Sequence, residues 1–250
     1  MEPSAQSAVA GRLVPPASHN DALGVLDEAD VQAMFDRISG LYDRMNTVMT
    51  AGLHHRWRAR PVELAAIAPG SRVLDVATGT GDLARELLRA VSPGGEVVGC
   101  DFSEAMLARA RAKAPDVRFE WADALALPYA SDSFDAATVG FGVRNFSDLG
   151  AGIAEMARVV RPGGCVAILE ITRPTREPLA TFYRAWFDRI VPAIGRIAGD
   201  AAAYSYLPSS VRRFPPPREL AAVMHGCGLR SIRWALLAGG IIAIHLGEVT

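Results

Sequence analysis

The sequence predicts an α/β protein built on a Rossmann-like, doubly wound, seven-stranded and mostly parallel sheet with helices on both faces. Three observations carry that prediction. Apolar strand segments alternate with helical ones through the middle of the chain. Two of those helices end in the same Pro-Gly-Gly turn, at "SPGGEV" and "RPGGCV". A glycine-rich turn in "VLDVATGTGDLA", Val73 to Ala84, joins the first strand directly to a helix. Strands separated by helices of this length make a parallel sheet with right-handed crossovers. A glycine after the last helical turn supplies the left-handed cap that stops it.

The elements follow in order. Residues 1–28 carry Ser, Pro, Ala and Gly with no sustained period and read as a disordered tail, which leaves 29–250 as a single domain. Val31, Met34, Phe35, Ile38, Leu41, Tyr42, Met45 and Val48 then recur at helical spacing. A second helix covers "HHRWRARPVELAAI", where Pro61 is expected to bend or split it. Next come strand "RVLDVAT", helix "GDLARELLRAV", strand "EVVGCD", helix "SEAMLARARAKA", strands "VRFEWAD" and "SFDAATVGFG", helix "GAGIAEMARVV" and strand "CVAILEIT". A helical insertion departs from this rhythm and carries "FYRAWFDRIVPAIGRI", too aromatic for a simple crossover. After it, "LRSIRWALL" and "GIIAIHL" read as a terminal hairpin at the sheet edge. The N-terminal helices (about 29–68) and the insertion (about 174–212) are positioned to act as lids.

Composition narrows the function classes. Of 250 residues half are apolar, and the formal net charge is −1, which argues against electrostatic binding of a nucleic-acid backbone. One lysine, Lys113, stands against twenty-five arginines, a skew expected from GC-rich coding. Cys100, Cys165 and Cys227 have neither metal-ligand spacing nor the density of a disulfide framework, and read as reduced core thiols. No apolar run reaches the roughly 18 residues of a membrane span. "MEPSAQSAVAGRLVPP" has an acid and a proline where a signal peptide starts basic, so a cytoplasmic protein is expected, with peripheral contact at the inner face of the cell membrane left open.

In an open α/β sheet, ligands sit beyond the carboxyl ends of the strands. Gly79 and Gly81 stand there, where the lack of Cβ lets a ligand approach the backbone. Asp101 ends the next strand, 22 residues beyond Gly79, and can accept both hydroxyls of a ribose. A nicotinamide dinucleotide satisfies these two facts as well as a nucleoside does. Asp75 discriminates. A carboxylate inside the first strand repels a pyrophosphate and suits a ligand of net positive charge, such as S-adenosylmethionine. The alternative for Asp75 is a residue tying down backbone amides. For Asp101 it is a helix cap, although Ser103 is better placed for that task. The third strand ends in Asp123-Ala124, where a side-chain oxygen can accept from an adenine amino group.

Taken together, these residues resemble a class I S-adenosylmethionine-dependent methyltransferase. The blocks "MFDRISGLYDRMNTVMTAGLHHRWR", "GFGVRNF", "RPGG", "LEITRP", "DAAAYSYLPSSVRRFP" and "GGIIAIHLG" resemble, more narrowly, the ubiquinone/menaquinone biosynthesis C-methyltransferase family, from about Val31 to Gly247. The resemblance implies S-adenosylmethionine as cofactor and methylation of a ring carbon of a polyprenylated quinol, demethylmenaquinol in bacteria that make only menaquinone. It implies cofactor contacts at Thr80, Asp101, Asp123 and Ala124, beside Asp75, Gly79, Gly81 and Phe102. Where the family often has a serine before the "FG" of the fourth strand, this chain has Gly140, and the long N-terminal tail is also atypical.

Methyl transfer to carbon is an in-line displacement at sulfonium that needs an electron-rich ring. A phenol of pKa near 10 is mostly neutral at pH 7, so a base or a nearby positive charge must help it ionise. Arg144 is the first candidate. It cannot be a direct base, but it can stabilise a phenolate or order a water that takes the proton. Asn145 can hold the same oxygen. The alternative for Arg144 is a loop cap against Asp148. Tyr42 and Tyr204 are candidates for substrate binding, with Asp43 and Asp200 beside them. His54 and His55 are adjacent and expected to point apart, His245 reads as a structural histidine, and no metal is expected. Phe182, Tyr183, Trp186, Phe187, Ile190 and Val191 either line a greasy entrance for a prenyl tail, with Arg173, Arg176, Arg184 and Arg189 facing anionic lipid, or belong to a buried helix with an ordinary solvated face. Two other readings compete: methylation of oxygen or nitrogen on another small apolar acceptor, and a nicotinamide-dependent oxidoreductase. A non-catalytic domain that keeps the fold is the remaining alternative. Whether the chain is a monomer or a homodimer stays open.

Overall fold

The computed structural model describes residues 27–191, 193 and 201–250. The expected disordered tail therefore lies outside the described residues except for Asp27 and Glu28, which cap and begin the first helix. Helices α1 (Glu28–Thr50) and α2 (Leu53–Leu64) precede the sheet. Then follow β1 (Arg72–Val76), α3 (Asp82–Val91), β2 (Glu96–Asp101), α4 (Glu104–Lys113), β3 (Arg118–Trp121) and β4 (Phe134–Gly140). After α5 (Leu149–Val159) and β5 (Val160–Ile171), the insertion holds α6 (Leu179–Ala185), continued by a π-helical turn at Trp186–Ile190, and α7 (Ala201–Arg213). The chain closes with α8 (Pro217–Gly226), β6 (Arg230–Leu237) and β7 (Ile242–Glu248).

The seven strands form one sheet in the order β3-β2-β1-β4-β5-β7-β6. The expected terminal hairpin is present, and its last strand is the inner one: β7 pairs antiparallel with both β5 and β6. The remaining neighbours are parallel. Strand order reverses between β1 and β4, and that switch point opens a crevice at the carboxyl ends.

Alternation within each strand builds two cores. In β1, Leu74 and Val76 face one side with Val98, Val139, Ile153 and Met224, while Val73 faces the other with Leu83, Leu87, Val97 and Leu107. The central strands are buried on both faces, which is why they read as continuous apolar runs. A third cluster joins Val31 and Met34 of α1 to Val191, Ala203, Tyr204 and Tyr206 of the insertion, so α1 spans the open end of the sheet. Leu41 and Val48, part of the helical stripe in the sequence, are exposed.

Three expectations change. α2 runs continuously through Pro61, which sits in its last turn. There the missing N–H costs one hydrogen bond, and burial of the ring with Val62 offsets it. The rings of His54 and His55 do not point apart, because their centroids lie 3.9 Å from each other. Only Cys100 is a core thiol; Cys165 and Cys227 are half-buried, and all three are free.

Candidate active site

The crevice at the β1/β4 switch point forms a cleft lined by Asp75, Gly79, Thr80, Asp101, Phe102, Asp123 and Ala124. Gly79 adopts φ 56°, and a Cβ there would meet nothing within 4 Å, so its backbone lies open to the cleft. Gly81 does not line it. A Cβ on Gly81 would come 2.9 Å from the Phe119 ring, so this glycine serves close packing under a φ of 80° and not ligand approach.

The three acids differ in what they already hold. Asp101 accepts from the Gly79 backbone N–H at 2.8 Å and from the Ser103 N–H at 2.9 Å. Ser103, not Asp101, caps α4 by accepting from the Met106 N–H. Burial raises the Asp101 carboxyl to about 6 against the pull of those amides. Asp75 is 1% exposed and accepts from the hydroxyls of Thr78 (2.6 Å) and Thr138 (2.8 Å), so hydroxyls and not backbone amides are its partners. Burial raises it, too, to about 6. Asp123 stands two residues past the end of β3 and accepts from the Leu125 N–H at 2.8 Å.

Helix α1 is pinned over the cleft by one polar face. Gln32 donates to the Phe102 carbonyl at 2.7 Å, Asp36 accepts from the Ser103 hydroxyl, and Asp43 accepts from Thr80 Oγ1 at 2.6 Å. Spacings of four and seven residues bring these side chains onto one stripe. Lys113 closes the corner, 2.6 Å from Asp43 and 2.7 Å from Asp82.

The opposite face of α1 walls a second, apolar cavity of about 430 Å³, lined also by α2 and the aromatic insertion. Phe182, Tyr183, Trp186, Phe187 and Val191 line it; Ile190 does not and is exposed. Tyr42, Tyr204 and Arg144 line it as well. Arg144 pairs with Glu170 at 2.8 Å, and Nη1 also donates to the Phe141 carbonyl at 2.5 Å. Its partner is thus Glu170 of β5. Asp148, the alternative partner, caps α5 through the Ala151 N–H. Burial opposes the Arg144 charge, and the Glu170 carboxylate outweighs that and holds the guanidinium above its ordinary pKa. Asn145 lines the cleft, and its Oδ1 accepts at 3.3 Å from the hydroxyl of Tyr206, which lines the apolar cavity. Asp200 lies outside the described residues.

Among the described residues, four buried side-chain polar atoms lack a hydrogen-bond partner: Arg58 Nη1, Arg144 Nε, Tyr183 Oη and His245 Nδ1. The first three belong to residues that line the apolar cavity. His245 does not; its Nε2 donates to the Pro217 carbonyl and its ring stacks on Trp234, a structural role. Uncompensated buried donors are costly, so three of them around one cavity mark it as a site for acceptor oxygens.

Cleft and cavity meet. Phe35, Tyr42, Arg58 and Phe141 line both. At this junction His54, His55 and Asp82 bring three ligand-type atoms within 4.8 Å. Arg58 and Lys113 already occupy the Asp82 carboxylate, however, which disfavours a further cation. Burial, with Arg58 next, pulls His54 down to about 4.

The structure brings Asp75, Gly79, Thr80, Asp101, Phe102, Asp123 and Ala124 together at the cleft, and Arg144, Tyr42 and Tyr204 together at the cavity. Asn145, expected to hold the same ring oxygen as Arg144, lines the cleft and not that cavity, and Tyr42 lines both. Sequence reasoning did not single out Glu170, Arg58 or Tyr206, although Glu170 stands in the quoted "LEITRP" and Arg58 in "HHRWR". Tyr183 was expected as tail lining, without notice of its hydroxyl.

Residues 23–249 match the ubiE/COQ5 methyltransferase family. A demethylmenaquinone methyltransferase of Thermus thermophilus is 46% identical over 220 residues, covering 86% of this chain and 99% of that protein. A ubiquinone/menaquinone biosynthesis C-methyltransferase UbiE of Geobacter sulfurreducens is 39% identical over 224 residues, covering 87% of this chain and 88% of that one. Among solved structures, a SAM-dependent methyltransferase from Thermotoga maritima shares the fold with a TM-score of 0.61 at 18% identity, covering 88% of this chain and 99% of that chain.

Proposed function

The chain belongs to the ubiE/COQ5 methyltransferase family, and from that premise we propose that it is a C-methyltransferase which uses S-adenosylmethionine to methylate a ring carbon of a demethylated prenyl quinol. Demethylmenaquinol is the acceptor we favour, on the ground that relatives such as the Thermus thermophilus protein bear the name demethylmenaquinone methyltransferase. The observation that carries the reading is the junction of two unlike cavities. An acidic cleft suits a cationic nucleoside, and it opens through Phe35, Tyr42, Arg58 and Phe141 into an apolar chamber.

The cleft residues fit the cofactor. Glu28, Asp75, Asp82, Asp101 and Asp123 line it against one cation, Arg58, among the described residues. S-Adenosylmethionine carries two positive charges and one negative, and no phosphate. In this reading Asp101 would hold the ribose hydroxyls, Asp123 with Ala124 would hold the adenine, and Asp75 would supply negative potential that favours the cationic ligand. When bound, the cofactor supplies an electrophilic methyl group.

The residues of this chain do the rest. Arg144, fixed by Glu170, offers its unpartnered Nε to one ring oxygen and lowers the cost of ionising that hydroxyl, which makes the ortho carbon nucleophilic. A water ordered by the guanidinium takes the proton. The Tyr183 hydroxyl, also unpartnered, takes the other ring oxygen. α1 closes over both reactants, and holding them in line supplies about 7–11 kcal/mol of the barrier. The prenyl tail lies among Phe182, Trp186 and Phe187. Val48, Leu53 and Phe182 line this cavity and are also exposed, so its rim is apolar. Arg173, Arg176 and Arg189 are exposed on the segment that includes α6. This supports contact of the rim with an anionic membrane surface. Among the described residues no helix is long and apolar enough to cross a membrane.

The test is incubation with methyl-labelled S-adenosylmethionine and a panel of demethylated quinols, catechols and amines. Label on demethylmenaquinol carbon is expected; label only on oxygen or nitrogen acceptors would replace the reading. Tight nicotinamide binding with no response to S-adenosylmethionine would overturn it.

A further inference from the structure

Arg58 is the residue whose position the reaction described so far does not use. It lies on the inner face of α2 with His54 and Val62, at spacings of four residues, while Arg56 and Arg60 of the same helix are exposed. Its side chain is 7% exposed. Two contacts steady it: the Phe141 ring, 5.3 Å from the guanidinium carbon, and Asp82 Oδ2, 3.5 Å from Nη1. That Nη1 makes no hydrogen bond in spite of its burial. A guanidinium is buried at high cost unless its donors are satisfied.

What would satisfy it follows from the charges around it. Arg58 is the one cationic side chain among the described residues lining the cleft, against five acids. It also lines the acceptor cavity, so it stands at the junction where a methyl group must cross. The sulfur of the cofactor has to sit at that junction, and its α-carboxylate is four bonds away. The five acids of the cleft favour positive or hydroxyl-bearing groups and repel that carboxylate, and among the described residues Arg58 is the one charge there that attracts it. The acceptor is the less suitable partner, because Arg144 and Tyr183 already offer donors for two ring oxygens and demethylmenaquinol has no third.

We infer that Arg58 binds the α-carboxylate of the methionine moiety and thereby places the methyl group at the mouth of the acceptor cavity. This rests on the reading of the cleft as an S-adenosylmethionine site. A planar guanidinium held by Phe141 and Asp82 meets a carboxylate in two parallel hydrogen bonds, which fixes direction as well as affinity. Arg58 is then the residue by which the site tells the amino-acid end of its ligand from a simple alkyl sulfonium.

The experiment compares two ligands on two forms of the enzyme by calorimetry. S-Adenosylmethionine and its decarboxylated analogue differ in the carboxylate alone. Wild type is expected to bind the first at least tenfold more tightly. Arg58→Met keeps the stem and loses the charge, and is expected to bring the ratio of the two dissociation constants near one. Arg58→Lys is expected to restore part of the discrimination, since a point charge replaces a fork. Equal affinity of wild type for both ligands would overturn the inference, whatever the variants do. So would an Arg58→Met protein that folds and weakens both ligands by the same factor. Failure of wild type to bind either ligand would instead defeat the cofactor reading on which the inference stands.

Discussion

The Arg144 guanidinium, which lines the apolar cavity, rests 2.8 Å from the Glu170 carboxylate behind it, and both side chains are buried, 8% and 1% exposed. The pair leaves Arg144 Nε without a partner, so Glu170 aims a charge it does not fully consume. Glu170 is a positioning residue in this arrangement. Glu170→Gln keeps its shape and removes its charge. Turnover with saturating quinol is expected to fall tenfold or more while the dissociation constant for S-adenosylmethionine holds. Breaking a buried pair costs about 3–5 kcal/mol, so the thermal midpoint should fall as well. An unchanged turnover number in a folded Glu170→Gln enzyme would contradict the role.

Tyr183 gives the opposite signature. Its hydroxyl is buried and unpartnered, a state that costs about 1–3 kcal/mol. Tyr183→Phe is therefore expected to melt at the same temperature or higher. The KM for the quinol should rise about fivefold, as loss of one hydrogen bond of about 1 kcal/mol predicts. Thermal unfolding and steady-state kinetics on the same preparation check both halves.

Asp101 makes cofactor binding depend on pH. Burial lifts its carboxyl to about 6, and only the ionised form can accept hydrogen bonds at both oxygens. Affinity for S-adenosylmethionine should be flat above pH 7 and weaken as pH falls through about 6, because protonation competes with the ribose. The sign is that of a raised carboxylate pKa: acid favours the unliganded form. Asp101→Asn should bind weakly at every pH and lose this contribution to the slope. Calorimetric titrations from pH 5 to 8 measure it.

Asp43 ties α1 to the glycine turn through Thr80 and Lys113. Asp43→Ala is expected to speed amide hydrogen exchange along α1 and to weaken the cofactor about five- to tenfold. The double variant with Thr80→Val should be less than additive, since both substitutions cut the same bond. Full additivity would show that the two residues act apart.

These residues also show what a sequence reveals. The cleft was legible because its parts are local: Asp75 within β1, Asp101 at the end of β2 and Asp123 just past β3 follow from the alternation of strand and helix. Gly81 was misread because a ligand approach and a packed ring place the same demand on a glycine. Only the fold brings Phe119 against it. Glu170 was passed over for a related reason. An acid near a strand end has no visible partner until β4 and β5 are paired and the turn after β4 lays Arg144 across it. The clamp from Asp43 to Thr80 spans 37 residues, and the bond from Thr138 to Asp75 spans 63. No periodicity reports such distances. Arg58 sits among several arginines of identical local appearance, and burial alone separates it from them.

Helix α1 carries both boundaries of the reaction chamber, since Phe35 and Tyr42 wall the cleft and the cavity together. Donor and acceptor compartments therefore share one door. Whatever loosens that helix to discharge a methylated product also exposes the other compartment to solvent. Whatever tightens it to keep water out also slows departure. The pace of the catalytic cycle is then bounded by a compromise written into one amphipathic helix. Substitutions along its polar stripe should trade turnover against uncoupled loss of cofactor and not improve both.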